Sequence, residues 1–140
     1  MATLYLSLGT NLGDRQSNLE TAIALIGQRI GTVSAKSDII ETEPWGFESS
    51  NRFLNMAIKV ETLLQPLETL DATKEIERQL GRTEKSVNGQ YHDRVIDIDM
   101  LMYDNIVMNT PELTLPHPLM HQRPFVMEPL AQIAPELART

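Results

Sequence analysis

Apolar residues recur along this chain in two rhythms, one of period two and one close to the helical repeat. Leu4, Leu6 and Leu8 alternate with Tyr5 and Ser7, which predicts a half-buried strand over residues 3–8 ended by Gly9. A turn of small and polar residues, Thr10 to Asp14, leads into Leu19, Ile23, Ile26 and Ile30, spaced as one face of a helix that stops at Gly31. Val33 to Thr42 reads as a second strand and residues 53–62 as a third, with Leu54, Met56, Ile58 and Val60 on one face and Phe53 and Asn55 on the other. Pro66 and Gly81 bracket a second helix through Leu70, Ile76 and Leu80, with proline in its first turn and glycine just past its end. About a dozen polar residues precede a fourth strand, in which Ile96, Ile98, Met100 and Met102 alternate with Asp97 and Asp99.

The order βαββαβ is that of the ferredoxin-like fold, an α+β architecture whose antiparallel sheet carries both crossover helices on one face. If the apolar faces of the third and fourth strands pack together under the helices, then Phe53, Asn55, Asp97 and Asp99 emerge together on the other side. From Asn105 onward the chain is rich in proline, with short helical turns expected around Phe125–Met127 and Leu130–Ile133. This C-terminal extension is placed to pack on the second face. Neither repeat, low-complexity segment nor linker interrupts residues 1–140, so one domain is expected.

A chain of 140 residues is long enough to bury one substantial core. It has no cysteine, so disulfides and thiolate metal sites are excluded and metal ligands must be oxygen or histidine. Without cysteines, a basic leader or a long apolar stretch, a soluble, cytoplasmic protein with no membrane association is expected. The net charge of −7 speaks against nucleic acid as a partner, because the phosphate backbone wants a basic surface.

Charge patterning then directs attention to Asp97 and Asp99. Two carboxylates on adjacent same-face positions of a strand repel, and are commonly neutralised by a cation or by basic side chains. Mg²⁺ suits such a pair, since it takes one or two carboxylates together with phosphate oxygens. A solvated acidic edge strand accounts for the same two residues equally well. Arg82, Lys85 and Arg94 flank the pair in sequence, within a loop long enough to serve as a binding loop or simply to carry solvated charge. Further on, Pro116 and Pro118 stiffen the backbone around His117, Arg123 offers a forked donor suited to phosphate, and Phe125 a flat apolar face. Prolines argue against a metal-binding helix through His117 and His121. Trp45, Phe53 and Tyr91 lie in loops or at strand ends; they suit either core packing or a stacking pocket for a planar heterocycle whose edge Asn55 would read. No Walker A loop or Gly-x-Gly-x-x-Gly turn is present.

Together, Ser7-Leu8-Gly9-Thr10-Asn11-Leu12-Gly13-Asp14-Arg15, Thr42-Glu43-Pro44-Trp45-Gly46, Phe53-Leu54-Asn55, Glu77 with Gly81-Arg82, Arg94-Val95-Ile96-Asp97-Ile98-Asp99 and Leu115-Pro116-His117-Pro118 with Arg123-Pro124-Phe125 resemble the 6-hydroxymethyl-7,8-dihydropterin pyrophosphokinases. The resemblance runs in order over nearly the whole chain. It implies a folate-pathway enzyme that transfers pyrophosphate from ATP to the hydroxymethyl group of the pterin and releases AMP, acting as a monomer. It further implies that Asp97 and Asp99 bind two Mg²⁺ ions and that Arg82 and Arg94 are catalytic. Glu77, Arg82, Arg94, Thr114, His117 and Arg123 would contact ATP. Thr42, Trp45, Phe53, Asn55 and Phe125 would hold the pterin, and Asn11 would help order the surrounding loops. Where many relatives carry Trp-Gly-Pro before the motif arginine, this chain has Tyr91-His92-Asp93; Glu84 stands where a basic residue is common, and Pro118 where an aromatic is common. A ferredoxin-like module that binds a nucleotide or pterin without turnover is the alternative.

Overall fold

The computed structural model describes residues 1–43, 52–81 and 95–137. Strand β1 (Ala2–Thr10) is followed by helix α1 (Arg15–Arg29), strands β2 (Gly31–Lys36), β3 (Ile40–Thr42) and β4 (Phe53–Thr62), and helix α2 (Pro66–Gln79). Strand β5 (Asp97–Tyr103), the short strands β6 (Met108–Asn109) and β7 (Thr114–Leu115), a 3-10 turn over Met120–Gln122 and helix α3 (Pro124–Ile133) complete the described residues. The principal sheet runs β2-β4-β1-β5, with β3 also paired to β4. Every pairing in it is antiparallel, so the ferredoxin-like expectation holds. Among the described residues no helix is long and apolar enough to cross a membrane.

Local chemistry sets the helix ends. Asp14 accepts a hydrogen bond from the Ser17 N–H at 3.1 Å and so caps α1. Pro66 opens α2, the Glu68 carboxylate accepts from the Gln65 N–H at 2.8 Å, and Gly81 follows the helix at φ +104°, a backbone region that glycine enters without a Cβ clash. Both helices lie on one face of the sheet, where Leu4, Leu6, Leu8, Met56, Ile58, Val60, Ile98 and Met100 meet Leu19, Ile26 and Ile76. Burial of each large aliphatic side chain there contributes about 1.5–3 kcal/mol relative to exposure. The second face carries a smaller apolar cluster, in which Ala57 and Leu101 pack with Met120, Val126, Leu130 and Ala134. The C-terminal extension thus covers part of that face, as its sequence suggested.

The structure corrects five details of that reading. Gly9 does not end β1: the strand continues through it to Thr10. Val33–Thr42 is two strands rather than one, because the chain spends extra residues against β4, with a register shift between Val33 and Ala35. At the break Ser37 stands in for ladder geometry: its N–H donates to Ala57 O and its Oγ accepts from Ala57 N. β4 and β5 are not neighbours, since β1 lies between them and pairs with both. Met102 faces the second side rather than the helices. A bulge places Tyr5 opposite Met102 and Leu6 opposite Met100, so the extra residue Leu101 reverses the alternation beyond it. Finally, the apolar residues from Phe125 to Ile133 form one continuous helix instead of two turns, with Pro129 inside it.

β2 begins under a tight restraint. A Cβ on Gly31 would stand 2.0 Å from the Glu61 carbonyl oxygen, a contact with backbone that no rotamer relieves. Beside it, the buried Thr62 hydroxyl donates to Ile30 O at 2.6 Å. Gly31→Ala is therefore expected to lower unfolding free energy by about 2 kcal/mol or more, as overpacking against a fixed backbone does. Urea titration measures this, and an unchanged midpoint would show that the β2–β4 pairing can open to admit a methyl group.

Candidate active site

Two rows of side chains cross the second face of the sheet. In one, Gly9 of β1 pairs with Asn55 of β4 on one side and Asp97 of β5 on the other; in the next, Ser7 pairs with Ala57 and Asp99. The central strand therefore presents only a hydrogen and a hydroxymethyl beside Asn55, Asp97 and Asp99, with the small Ala57 across from Ser7. This makes a trough flanked by an amide and two carboxylates. A Cβ on Gly9 would lie 3.0 Å from Asn55 Oδ1 and 3.6 Å from Phe53 Cδ1, so Phe53 and Asn55 lean directly over that glycine. Sequence alternation predicted the shared face of Phe53, Asn55, Asp97 and Asp99. It did not single out Ser7 and Gly9 as its floor, although their small size between strand-forming neighbours was the available signal.

Asn55 is held in one orientation. Its Nδ2 donates to Thr42 Oγ1 at 2.6 Å, which leaves Oδ1 on the Gly9 side. Only 3% of the residue is exposed, so this hydrogen bond also offsets the cost of burying the amide. Thr42 pairs with Phe53 at the end of β3, which brings three of the residues expected at a heterocycle pocket together. Trp45, expected beside them, lies outside the described residues, as do Arg82 and Arg94. Phe125, on α3, packs against the second apolar cluster.

Arg123 precedes α3, and its side chain is 7% exposed. Its Nη1 lies 3.8 Å from Asp99 Oδ2, and its guanidinium carbon is 5.7 Å from the centre of the Phe125 ring. The C-terminal segment thus carries a cation to the carboxylate pair. Asp99 nevertheless has its carboxyl raised well above the ordinary range. Burial is the largest cause and the negative charge of Asp97 the next, and both outweigh the opposing pull of Arg123.

His117 reaches the same region along the outer edge of β5, where its N–H donates to Leu101 O at 2.9 Å. The Leu119 N–H donates to His117 Nδ1 at 3.2 Å. An Nδ1 that accepts carries no proton, so the neutral ring keeps its hydrogen on Nε2 as a donor. Burial, then the charge of Arg123, lowers the imidazole pKa against the weaker opposing effect of Asp97, which favours this neutral form. Thr114 lies on β7, opposite Asn109, half-buried. Glu77, near the end of α2, is 7% exposed, and its Oε2 accepts from the Ile98 N–H at 2.8 Å. Asn11, also buried, follows β1 beside a turn fastened by Asn18, whose Nδ2 donates to Thr10 Oγ1 and Leu12 O.

These groups suit a hard divalent cation. Asp97 and Asp99 supply adjacent oxygen donors, and the raised pKa of Asp99 marks a place where added positive charge is favourable. Among the described residues no set of three or more His, Cys, Asp or Glu side chains is arranged to enclose a metal ion. Two carboxylates completed by water and ligand oxygens match Mg²⁺ better than a site built wholly from protein ligands. The solvated-edge alternative fits less well. Among the described residues β5 is an edge strand of its sheet, but its acidic face is partly enclosed, with the Asp99 side chain 30% exposed.

Comparison with known proteins gives consistent results. The family model described as 7,8-dihydro-6-hydroxymethylpterin-pyrophosphokinase matches residues 5–135. A Porphyromonas gingivalis protein named 2-amino-4-hydroxy-6-hydroxymethyldihydropteridine pyrophosphokinase is 51% identical over 138 residues, which span 98% of this chain and 94% of that protein. A Bacillus subtilis protein of the same name is 40% identical over 136 residues, spanning 96% and 80%. Among solved structures, an HPPK-DHPS in complex with substrates aligns with a TM-score of 0.78 at 17% identity and supports the fold. The present chain covers 96% of its own length and 40% of that longer chain.

The strained ionisation of Asp99 has a measurable consequence. Its folded-state pKa lies above the value of about 3.9 found in unfolded chains, so the folded protein binds the extra proton between the two. Wild-type stability should therefore decline as pH rises through the folded-state pKa. Asp99→Asn removes this penalty, and in metal-free buffer at neutral pH it should unfold at a higher temperature than wild type, with the gap closing on acidification. Thermal melts across pH test this; a variant that melts lower at neutral pH would mean that the attraction to Arg123 outweighs burial and repulsion.

Proposed function

The chain belongs to the 7,8-dihydro-6-hydroxymethylpterin-pyrophosphokinase family, and on that footing we propose that it transfers pyrophosphate from ATP to 6-hydroxymethyl-7,8-dihydropterin as a step in folate biosynthesis. The pterin hydroxyl oxygen bonds to the β-phosphorus of ATP and its proton passes to solvent, the bond from that phosphorus to the α,β-bridging oxygen breaks, and AMP leaves carrying that oxygen. The observation that carries this reading is the second-face trough, where Asp97 and Asp99 stand in register with Ser7 and Gly9 beside Asn55 and close to Arg123.

In this reading Asp97 and Asp99 hold two Mg²⁺ ions. Bound there, Mg²⁺ would neutralise phosphate charge and polarise the oxygens at the reacting phosphorus. The chain's own groups supply position and field. Arg123, with Arg82 and Arg94, offsets the negative charge of the transferring group, in a partly enclosed site where such interactions count for more than in water. His117 contributes a neutral Nε2–H donor, fixed by the Leu119 amide, to a phosphate oxygen. Thr114, on β7, contacts the nucleotide in this reading. Phe53 and Phe125 flank the pterin ring, and Asn55, held by Thr42, presents Oδ1 to a ring N–H, with Trp45 completing the pocket. Gly9, lacking a side chain, lets Asn55 and Phe53 lie close against the sheet where the ring binds. The unit is a single domain over residues 1–140 that works as a monomer in the cytoplasm.

Purified protein supplied with ATP, Mg²⁺ and 6-hydroxymethyl-7,8-dihydropterin should yield AMP and the pterin diphosphate; ADP as the nucleotide product would exclude pyrophosphoryl transfer, and ligand binding without any product would leave a binding module. Asp97→Ala and Asp99→Ala should each lower kcat by about a hundredfold or more while the protein stays folded, because both side chains point away from the helix-side core. Gly9→Ala should raise KM for the pterin about tenfold by displacing Asn55 and Phe53, with KM for ATP little changed. Steady-state kinetics with each substrate varied separates these effects.

A further inference from the structure

Glu77 is a buried carboxylate whose partner is a backbone amide of the acidic strand. It is buried on α2, on the helix side of the sheet, and its Oε2 accepts the backbone N–H of Ile98 at 2.8 Å. Ile98 is the residue between Asp97 and Asp99. Its side chain is buried in the helix-side core, and across the ladder it pairs with Leu8 of β1. Among the described residues β5 is the last strand on that side of the sheet, so its amides are paired to β1 only in alternation. The outward-facing amide at Ile98 goes to Glu77, and three residues later the carbonyl of Leu101 goes to the His117 N–H. Two side attachments therefore bracket the segment that carries Asp99.

We propose that Glu77 is a positioning residue for the acidic pair, acting through the Ile98 amide to fix the path of β5 so that the Asp97 and Asp99 carboxylates converge on one cation-binding geometry. The proposal rests on the reading of Asp97 and Asp99 as Mg²⁺ ligands. It gives Glu77 a task different from the nucleotide contact that the resemblance implied. The physical argument is one of restraint. A strand held on one side only can twist and slide at its free edge, and any twist at Ile98 swings its two neighbours together, since both lie on the opposite face. A charged acceptor on that amide forms a stronger hydrogen bond than a neutral one. A carboxylate is also an expensive group to bury, which an apolar residue packed at the end of α2 would not be.

The test uses the full chain with Glu77→Met, which keeps the bulk and removes the acceptor, and Glu77→Gln, which keeps an acceptor oxygen. Amide hydrogen exchange at Ile98 is followed by NMR without metal or nucleotide, and binding of a non-hydrolysable ATP analogue is measured by calorimetry with Mg²⁺. Loss of one charge-assisted hydrogen bond predicts that Glu77→Met speeds Ile98 exchange about tenfold and weakens Mg²⁺-dependent analogue binding by a similar factor. Glu77→Gln should restore most of both. Weakened binding with Ile98 exchange unchanged would overturn the proposal in favour of a direct contact with the nucleotide. Faster exchange with unaltered binding would overturn it by showing that the strand's path does not matter to the site. If Glu77→Met does not fold, Glu77→Gln decides: normal Ile98 protection with intact binding supports the proposal, and normal protection with lost binding overturns it. The exchange readout needs no substrate, so a failure of the pyrophosphokinase reading would show separately, as absence of AMP from the wild-type protein.

Discussion

Holding two carboxylates side by side on a partly enclosed surface is the constraint around which this molecule is arranged. Asp97 and Asp99 repel each other, and burial discourages the ionisation of Asp99. Left to itself, such a strand would turn its acidic face fully to water. Here the helix-side core grips Ile98 and Met100 from behind, Glu77 bonds the amide between the two carboxylates, and the C-terminal segment brings Arg123 across. Each of these elements comes from a different part of the chain. The pair is therefore a product of the whole fold rather than of one local motif, and its unfavourable charge is what makes it receptive to a cation.

β1 performs the complementary task. Because it pairs with both β4 and β5, its register alone decides which residue of β4 stands across from which residue of the acidic strand. Gly9 joins Asn55 to Asp97, and Ser7 joins Ala57 to Asp99. A slip of one residue would bring Leu8 to the trough and send Gly9 to the core, losing the floor and the hydrophobic packing in a single step. Packing of Leu4, Leu6 and Leu8 thus secures the geometry of the opposite face, which links stability to function through one strand.

Much of this was legible in the sequence. Alternation in β4 and at the start of β5 placed Phe53, Asn55, Asp97 and Asp99 on a common side, and the proline and glycine at the ends of α2 marked its limits. The reading failed where backbone geometry departs from simple periodicity. At Leu101 a bulge inserts one residue, and no feature of the run Asp99-Met100-Leu101-Met102 distinguishes an inserted apolar residue from an alternating one. Ser37 interrupts its strand through a side chain that imitates a ladder partner, which becomes visible only once Ala57 is opposite it. The role of Glu77 was hidden for a related reason: its partner is a backbone amide, and backbone amides carry no signature in sequence. Trp45, Arg82 and Arg94 rest on resemblance, and lie outside the described residues.

The crowding above Gly9 carries an implication for molecules designed to occupy this trough. A ligand there meets Asn55 and Phe53, whose positions depend on the absence of a side chain at Gly9. The only changes available at that position add atoms, and the first atom added already stands 3.0 Å from Asn55 Oδ1. An inhibitor that draws its affinity from Asn55 and Phe53 leaves the protein little room to escape by mutation at Gly9, because under the proposed function the same displacement would weaken pterin binding.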